Sequence, residues 1–70
     1  MSSDIIWKSE NNEIISCTEK IKVMQQNITE IQQIAQDAFE DAILMGIDPI
    51  QVKEYFAKIM QNLYNPYAKS

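Results

Sequence analysis

Histidine and arginine are absent from this sequence, and cysteine occurs once, as Cys17. A single cysteine cannot form an intrachain disulfide, and without histidine a zinc or di-iron site with the usual ligands is not expected. The same scarcity removes the side chains that most often serve as general bases or paired nucleophiles. We therefore predict that the chain is not an enzyme and holds no metal or cofactor.

Residues that form turns are also scarce, since the 70 residues include one glycine and two prolines. An all-β fold needs many turns, so this composition predicts few, long elements and an all-α fold. No apolar run approaches the roughly 18 residues of a membrane span, and the first residues lack the pattern of a signal peptide. These features predict a cytoplasmic protein that makes no use of a membrane.

The positive charge needed for nucleic-acid binding is thinly spread, because the six basic residues are all lysines and the net charge is −4. Phosphate neutralisation requires clustered basic side chains, so we do not expect nucleic acid as the main partner. A core of this size rarely supplies more than about 3–5 kcal/mol, and small proteins usually need an additional source of stability. With disulfides and metals excluded, self-association is the source that remains.

Apolar residues recur at alternating steps of three and four over five heptads. This spacing is typical of a coiled-coil seam and predicts one long helix over residues 9–45, with Ser9 as its N-cap. The segment 1–8 before it is short and mixed. The ten positions of the pattern are Ile14, Cys17, Ile21, Met24, Ile28, Ile31, Ala35, Ala38, Ala42 and Met45.

The next residues predict a tight turn and a second helix. Gly46 suits the C′ position that ends a helix, Asp48 the next N-cap and Pro49 the first helical residue. Ile47 before the cap and Val52 after it would form a hydrophobic staple, with Gln51 at the third position of a capping box. The second helix is expected over residues 49–64, followed by a tail over 65–70, so that residues 1–70 form one helical-hairpin domain.

A tight connection makes the two helices antiparallel neighbours. Counting from the turn then pairs small residues of the first helix with large residues of the second, as in a closely packed seam. The predicted seam consists of Ile31, Ala35, Ala38 and Ala42 from the first helix and Val52, Phe56, Ile59 and Leu63 from the second.

The predicted helices differ greatly in length, so part of the first has no partner within the hairpin. An exposed apolar stripe of this kind usually marks an interface. We therefore predict that the chain assembles with itself as a dimer or a larger coiled-coil-like bundle, unless helix 1 breaks near residues 25–27 and folds back. The predicted interface residues are Ile14, Cys17, Ile21, Met24 and Ile28, together with Ile34, Phe39 and Ile43 near the turn.

These features favour a non-enzymatic interaction protein: an adaptor, chaperone or regulator that binds copies of itself and another protein. The spacing of Ala42, Gly46 and Val52 also matches a DNA-binding helix-turn-helix, whose reading residues would be Gln51 and Lys53. An acidic mimic of nucleic acid is a third possibility. We interpret Asp37, Glu40 and Asp41 as a solvated acidic face. The aromatic residues either line a groove or are simply core, and they are Trp7, Tyr55, Phe56, Tyr64 and Tyr67.

Overall fold

The computed structural model describes residues 5–68 and contains two helices, α1 over Thr18–Leu44 and α2 over Pro49–Gln61. Apart from one isolated bridge, no strand occurs in these residues, so the predicted all-α helical hairpin is confirmed. The chain divides into two compact units between Ile34 and Ala35, and α1 passes through that boundary. The predicted segments at residues 1–4 and 69–70 lie outside the described residues.

The end of α1 has the geometry that its sequence predicts. Gly46 adopts a φ of +83°, in the left-handed region that glycine enters without strain. Its N–H donates to the carbonyl oxygen of Ile43 at 3.0 Å, and the N–H of Ile47 donates to that of Ala42 at 3.0 Å. These two bonds are a Schellman motif, and they confirm Gly46 as the C′ residue.

The start of α2 also follows its sequence. Asp48 is the N-cap in an extended conformation, and Pro49 is the first helical residue. A side-chain oxygen of Asp48 accepts a hydrogen bond from the N–H of Ile50 at 3.1 Å, which satisfies one of the free donors at the helix terminus. Both assignments made from the sequence are therefore confirmed.

The second helix is three residues shorter than predicted, because it ends at Gln61 rather than at Tyr64. Asn62 is the C-cap with φ −95° and ψ 12°, and its N–H is shared between the carbonyls of Lys58 and Ile59. The next N–H, of Leu63, reaches back only three residues, so the helix closes in a tighter turn. Pro66 lies five residues after the end of α2, so it does not determine the last residue of the helix.

Burial in residues 35–68 is centred on the seam between the two helices. Ala42 is 6% exposed and is the one buried hydrophobic residue among residues 5–68. Four further residues of this unit are half-buried: Ala35 and Phe39 from α1, and Val52 and Phe56 from α2. Ala42 lines one groove together with Val52 and Phe56. A small residue of one helix therefore lies beside large residues of its neighbour, as the sequence predicts.

The predicted start of helix 1 is wrong, because α1 begins at Thr18 and not at Ser9. Residues before it form a small reverse turn instead, with an antiparallel bridge between Lys8 and Ile14. The N–H of Ile15 donates to the carbonyl of Trp7 at 2.8 Å. Ile14 and Cys17 therefore lie outside the helix, although their spacing continues the heptad pattern.

Local chemistry explains this reverse turn. The Oγ of Ser9 accepts hydrogen bonds from the N–H groups of Asn11 and Glu13, both at 3.2 Å, so it caps a turn rather than a helix. Asn12 takes a φ of +66°, which asparagine tolerates better than most residues. A three-residue loop that ends in a left-handed residue is a common hairpin connection, and the pair Asn11-Asn12 was the indication of it in the sequence.

No helix within residues 5–68 combines the length and the apolar character that crossing a bilayer requires.

Candidate functional site

An open apolar groove of about 440 Å³ lies in the C-terminal unit, between α1 and α2 and next to their turn. It is built from two alanines of α1, one residue of the turn and four residues of α2. The lining residues are Ala38, Ala42, Ile47, Gln51, Val52, Tyr55 and Phe56.

The groove exists because small residues of α1 stand beside large residues of α2. Ala38 and Ala42 are four residues apart, so both side chains lie on one face of α1 and leave space there. Val52 and Phe56 have the same spacing on α2 and are half-buried. Ile47 also lines the groove, and its backbone is held by the hydrogen bond to Ala42. The seam alanines thus create a concave surface as well as close packing.

Two polar groups stand among the groove's lining residues, the amide of Gln51 and the hydroxyl of Tyr55. Tyr55 is 63% exposed, so it offers both apolar area and a hydrogen-bonding group to a partner. This lining suits the binding of apolar side chains with one or two orienting hydrogen bonds. It contains no carboxylate, amine or thiol that could exchange protons near neutral pH.

A second open groove, of about 390 Å³, follows α2 beyond its last turn. Tyr55 belongs to both grooves, so together they form one surface along α2. The residues that line the second groove are Tyr55, Lys58, Ile59, Asn62, Leu63 and Tyr64.

The other side of the seam is covered by a charged side chain. The Nζ of Lys53 lies 5.4 Å from the centroid of the Phe39 ring, within cation–π range. The sequence predicts that Phe39 lies at an interface with another subunit, but the residue is half-buried and Lys53 of its own chain lies over the ring.

The remaining predicted seam residues are more exposed than the seam's centre. Ile59 is 45% exposed, and Leu63, which lies past the end of α2, is 73% exposed. Ile31 belongs to the N-terminal unit and is 44% exposed. The closely packed part of the seam is therefore shorter than the pairing of the two helices predicts.

The predicted interface residues of the N-terminal unit are not equally accessible. Ile21 and Ile28 are half-buried, whereas Ile14, Cys17 and Met24 are exposed. The stripe of five is therefore broken, with its first two members outside α1 and two others partly shielded. Ile34 and Ile43, the other residues assigned to an interface, are both exposed.

Cys17 lies immediately before α1, and its carbonyl accepts the N–H of Ile21 at 3.1 Å. A hydrogen bond from the backbone N–H of Lys20 lowers the pKa of the Cys17 thiol. A hydrogen bond from the backbone N–H of Glu19 and the positive charge of Lys20 also lower this pKa. Partial desolvation opposes them. The exposed thiolate is thus favoured by its position at a helix start, not by a catalytic partner.

The acidic residues of α1 do not converge. Among residues 5–68, no three His, Cys, Asp or Glu side chains are arranged to hold a metal ion. Glu40 instead accepts a hydrogen bond from the Nε2 of Gln36 at 2.8 Å, one turn away on the same face. That contact is ordinary surface chemistry of a helix.

Of the two residues that the helix-turn-helix alternative would use, Lys53 lies over the ring of Phe39. Gln51 is exposed and lines the groove. Two of the five aromatics singled out in the sequence, Tyr55 and Phe56, do line that groove together. The sequence predicts that Ile47 belongs to the turn and Gln51 to a capping box, and it does not predict that both line a groove.

Comparison of the chain with models of known protein families, with curated proteins and with solved structures gave no significant match.

Proposed function

We propose that this chain is a non-enzymatic protein–protein interaction module, which assembles with copies of itself and offers apolar helical surface to another protein. It would act as an adaptor, chaperone or regulator in the cytosol. One observation carries the proposal: a single hydrophobic residue, Ala42, is buried among residues 5–68.

The exposed surface of the described residues supports the same interpretation. Eighteen large hydrophobic residues within residues 5–68 are more than one third exposed. Such exposure is expected of a protomer whose remaining burial comes from a partner.

Exposed side chains give this surface its apolar character. Leu44 is 85% exposed and Met45 is 70% exposed, and both stand next to the turn. Burying a large apolar side chain contributes roughly 1.5–3 kcal/mol, so several such residues left in water forfeit a large part of a small protein's stability. Assembly would recover that free energy.

Sedimentation equilibrium of the full chain from about 1 to 100 µM, with helicity measured on the same samples, tests the proposal. We expect a mass that is a multiple of 8.1 kDa, falling toward the protomer mass only where helicity also falls. A fully helical 8.1-kDa species across the whole range would overturn the proposed self-assembly.

A further inference from the structure

We infer that the groove beside the turn is the self-assembly surface, and that its occupant is the same face of a second copy of this chain. Two hairpins would pack face to face about a two-fold axis that runs along the helices, with both turns at one end. This inference rests on the proposed function and deepens it by naming the surface and its partner.

One side of the seam between α1 and α2 is covered by the chain itself and the other side is open, so the open side is the one available to a partner. Lys53 covers the ring of Phe39 on one side. On the other side the groove is open above Ala38 and Ala42. Tyr55, which lines this groove, is 63% exposed, and Ile59, which lines the second groove, is 45% exposed. Met45, three residues after Ala42, is 70% exposed.

Helical spacing places these residues on one continuous surface. Ala38 and Ala42 are four residues apart on α1, and Met45 follows three residues later, just past the end of that helix. Val52, Tyr55 and Ile59 follow steps of three and four on α2. The second groove extends this surface along α2 through Tyr55 and Ile59. The face thus has the a/d-like pattern with which helices pack in bundles.

Size complementarity follows from the two-fold axis. Ala38 is eight residues before Gly46, and Tyr55 is seven residues after Asp48, so the two lie at similar distances from the turn. A two-fold axis along the helices brings α1 of one copy opposite α2 of the other. The exposed ring of Tyr55 then enters the space above Ala38 of its partner, and the reverse contact forms at the same time.

Charge complementarity points the same way. Asp37 and Asp41 flank the face on α1, and Lys58 borders it on α2, where it lines the second groove. Asp37 is nine residues before Gly46, and Lys58 is ten residues after Asp48. The same two-fold packing therefore sets the acidic edge of one copy against the lysine of the other, which favours this register over its alternatives.

Disulfide trapping tests the arrangement directly. In a Cys17→Ser background, the single variants Ala38→Cys and Tyr55→Cys are mixed at equal concentration, refolded together and oxidised. We expect the mixed disulfide dimer to exceed either homodimer by at least about five-fold. In the matched control, Tyr55→Cys is mixed with Ala57→Cys instead of Ala38→Cys. Ala57 is exposed on α2 and lines neither groove.

Disruption of the groove gives an independent readout. Ala38→Glu keeps a good helix former but places a charge at the centre of the face. We expect the dissociation constant to rise at least about 30-fold with helicity retained at high concentration, whereas Ala57→Glu leaves it unchanged within about two-fold. Tyr55→Ser should weaken assembly in the same direction without adding charge.

The outcomes separate this inference from the proposed function. Enrichment of the mixed disulfide together with weakened assembly of Ala38→Glu supports the groove as the interface. An oligomer that survives Ala38→Glu and Tyr55→Ser, or trapping no stronger than with the Ala57→Cys control, overturns the groove while self-assembly stands. A wild-type chain that is folded and monomeric overturns both.

Discussion

The ammonium group of Lys53 lies 5.4 Å from the centre of the Phe39 ring, and this contact joins α2 to α1 on the side away from the groove. A lysine in this position covers an aromatic face with its alkyl stem and keeps its charge in water. It explains why Phe39 is half-buried although the heptad pattern places it beside the seam.

Replacement of Lys53 by alanine should lower the free energy of unfolding by about 0.5–1 kcal/mol, because both the cation–π attraction and the alkyl cover are lost. Lys53→Met retains an apolar side chain over the ring, so its free energy of unfolding should fall by less. Urea unfolding at one fixed protein concentration measures both. If Lys53→Ala is as damaging in a Phe39→Leu background as in the wild type, the contact with the ring contributes nothing.

Replacement of Gly46 by alanine should destabilise the hairpin by about 1–2 kcal/mol, because an L-residue is strained at a φ of +83°. Outside Gly46 and the residues next to it in the chain, no heavy atom lies within 4 Å of the position that a Cβ would take, so the loss comes from the backbone and not from a clash. Gly46→Asn is the control, since asparagine enters the left-handed region more readily than alanine. Its stability should therefore fall by less than that of Gly46→Ala. Thermal unfolding followed by circular dichroism compares them; equal stability of Gly46→Ala and wild type would contradict the left-handed turn.

The turn between the helices could be predicted from the sequence because its determinants are local. A glycine, a capping aspartate and a proline each favour one conformation at one position, and they agree. The start of α1 could not be predicted in the same way. The steps of three and four at Ile14 and Cys17 suggested helix, whereas hydrogen bonds to the Oγ of Ser9 and the left-handed Asn12 favour a reverse turn.

The groove could be predicted only in part. The alanines of the seam were expected to pack closely, and Ala42 does so, whereas Ala38 is exposed and leaves a space. Which side of a two-helix seam stays open depends on how the helices lie against each other, and a heptad pattern does not encode that. The cover that Lys53 provides for Phe39 was missed for the same reason.

Alkylation of Cys17 should titrate at lower pH in the folded chain than in the unfolded chain. Backbone N–H groups at the start of α1, that of Lys20 first, favour the thiolate and lower the pKa of Cys17. A group with a lowered folded pKa stabilises the fold above its unfolded pKa, usually near 8.5, and this contribution is lost as the pH falls through the folded pKa. Iodoacetamide rates against pH, with and without urea, measure the two values. Coincident midpoints would show that the helix start does not act on the thiol.

Thermal unfolding at different protein concentrations is the most direct test of whether the fold draws its stability from contacts between copies. If folding is coupled to dimer assembly, the midpoint of unfolding should rise by about 5–10 °C when the concentration increases 100-fold. A midpoint that stays constant across that range, with the same helicity throughout, would show that one chain is sufficient for its own fold and would contradict the proposed interaction module.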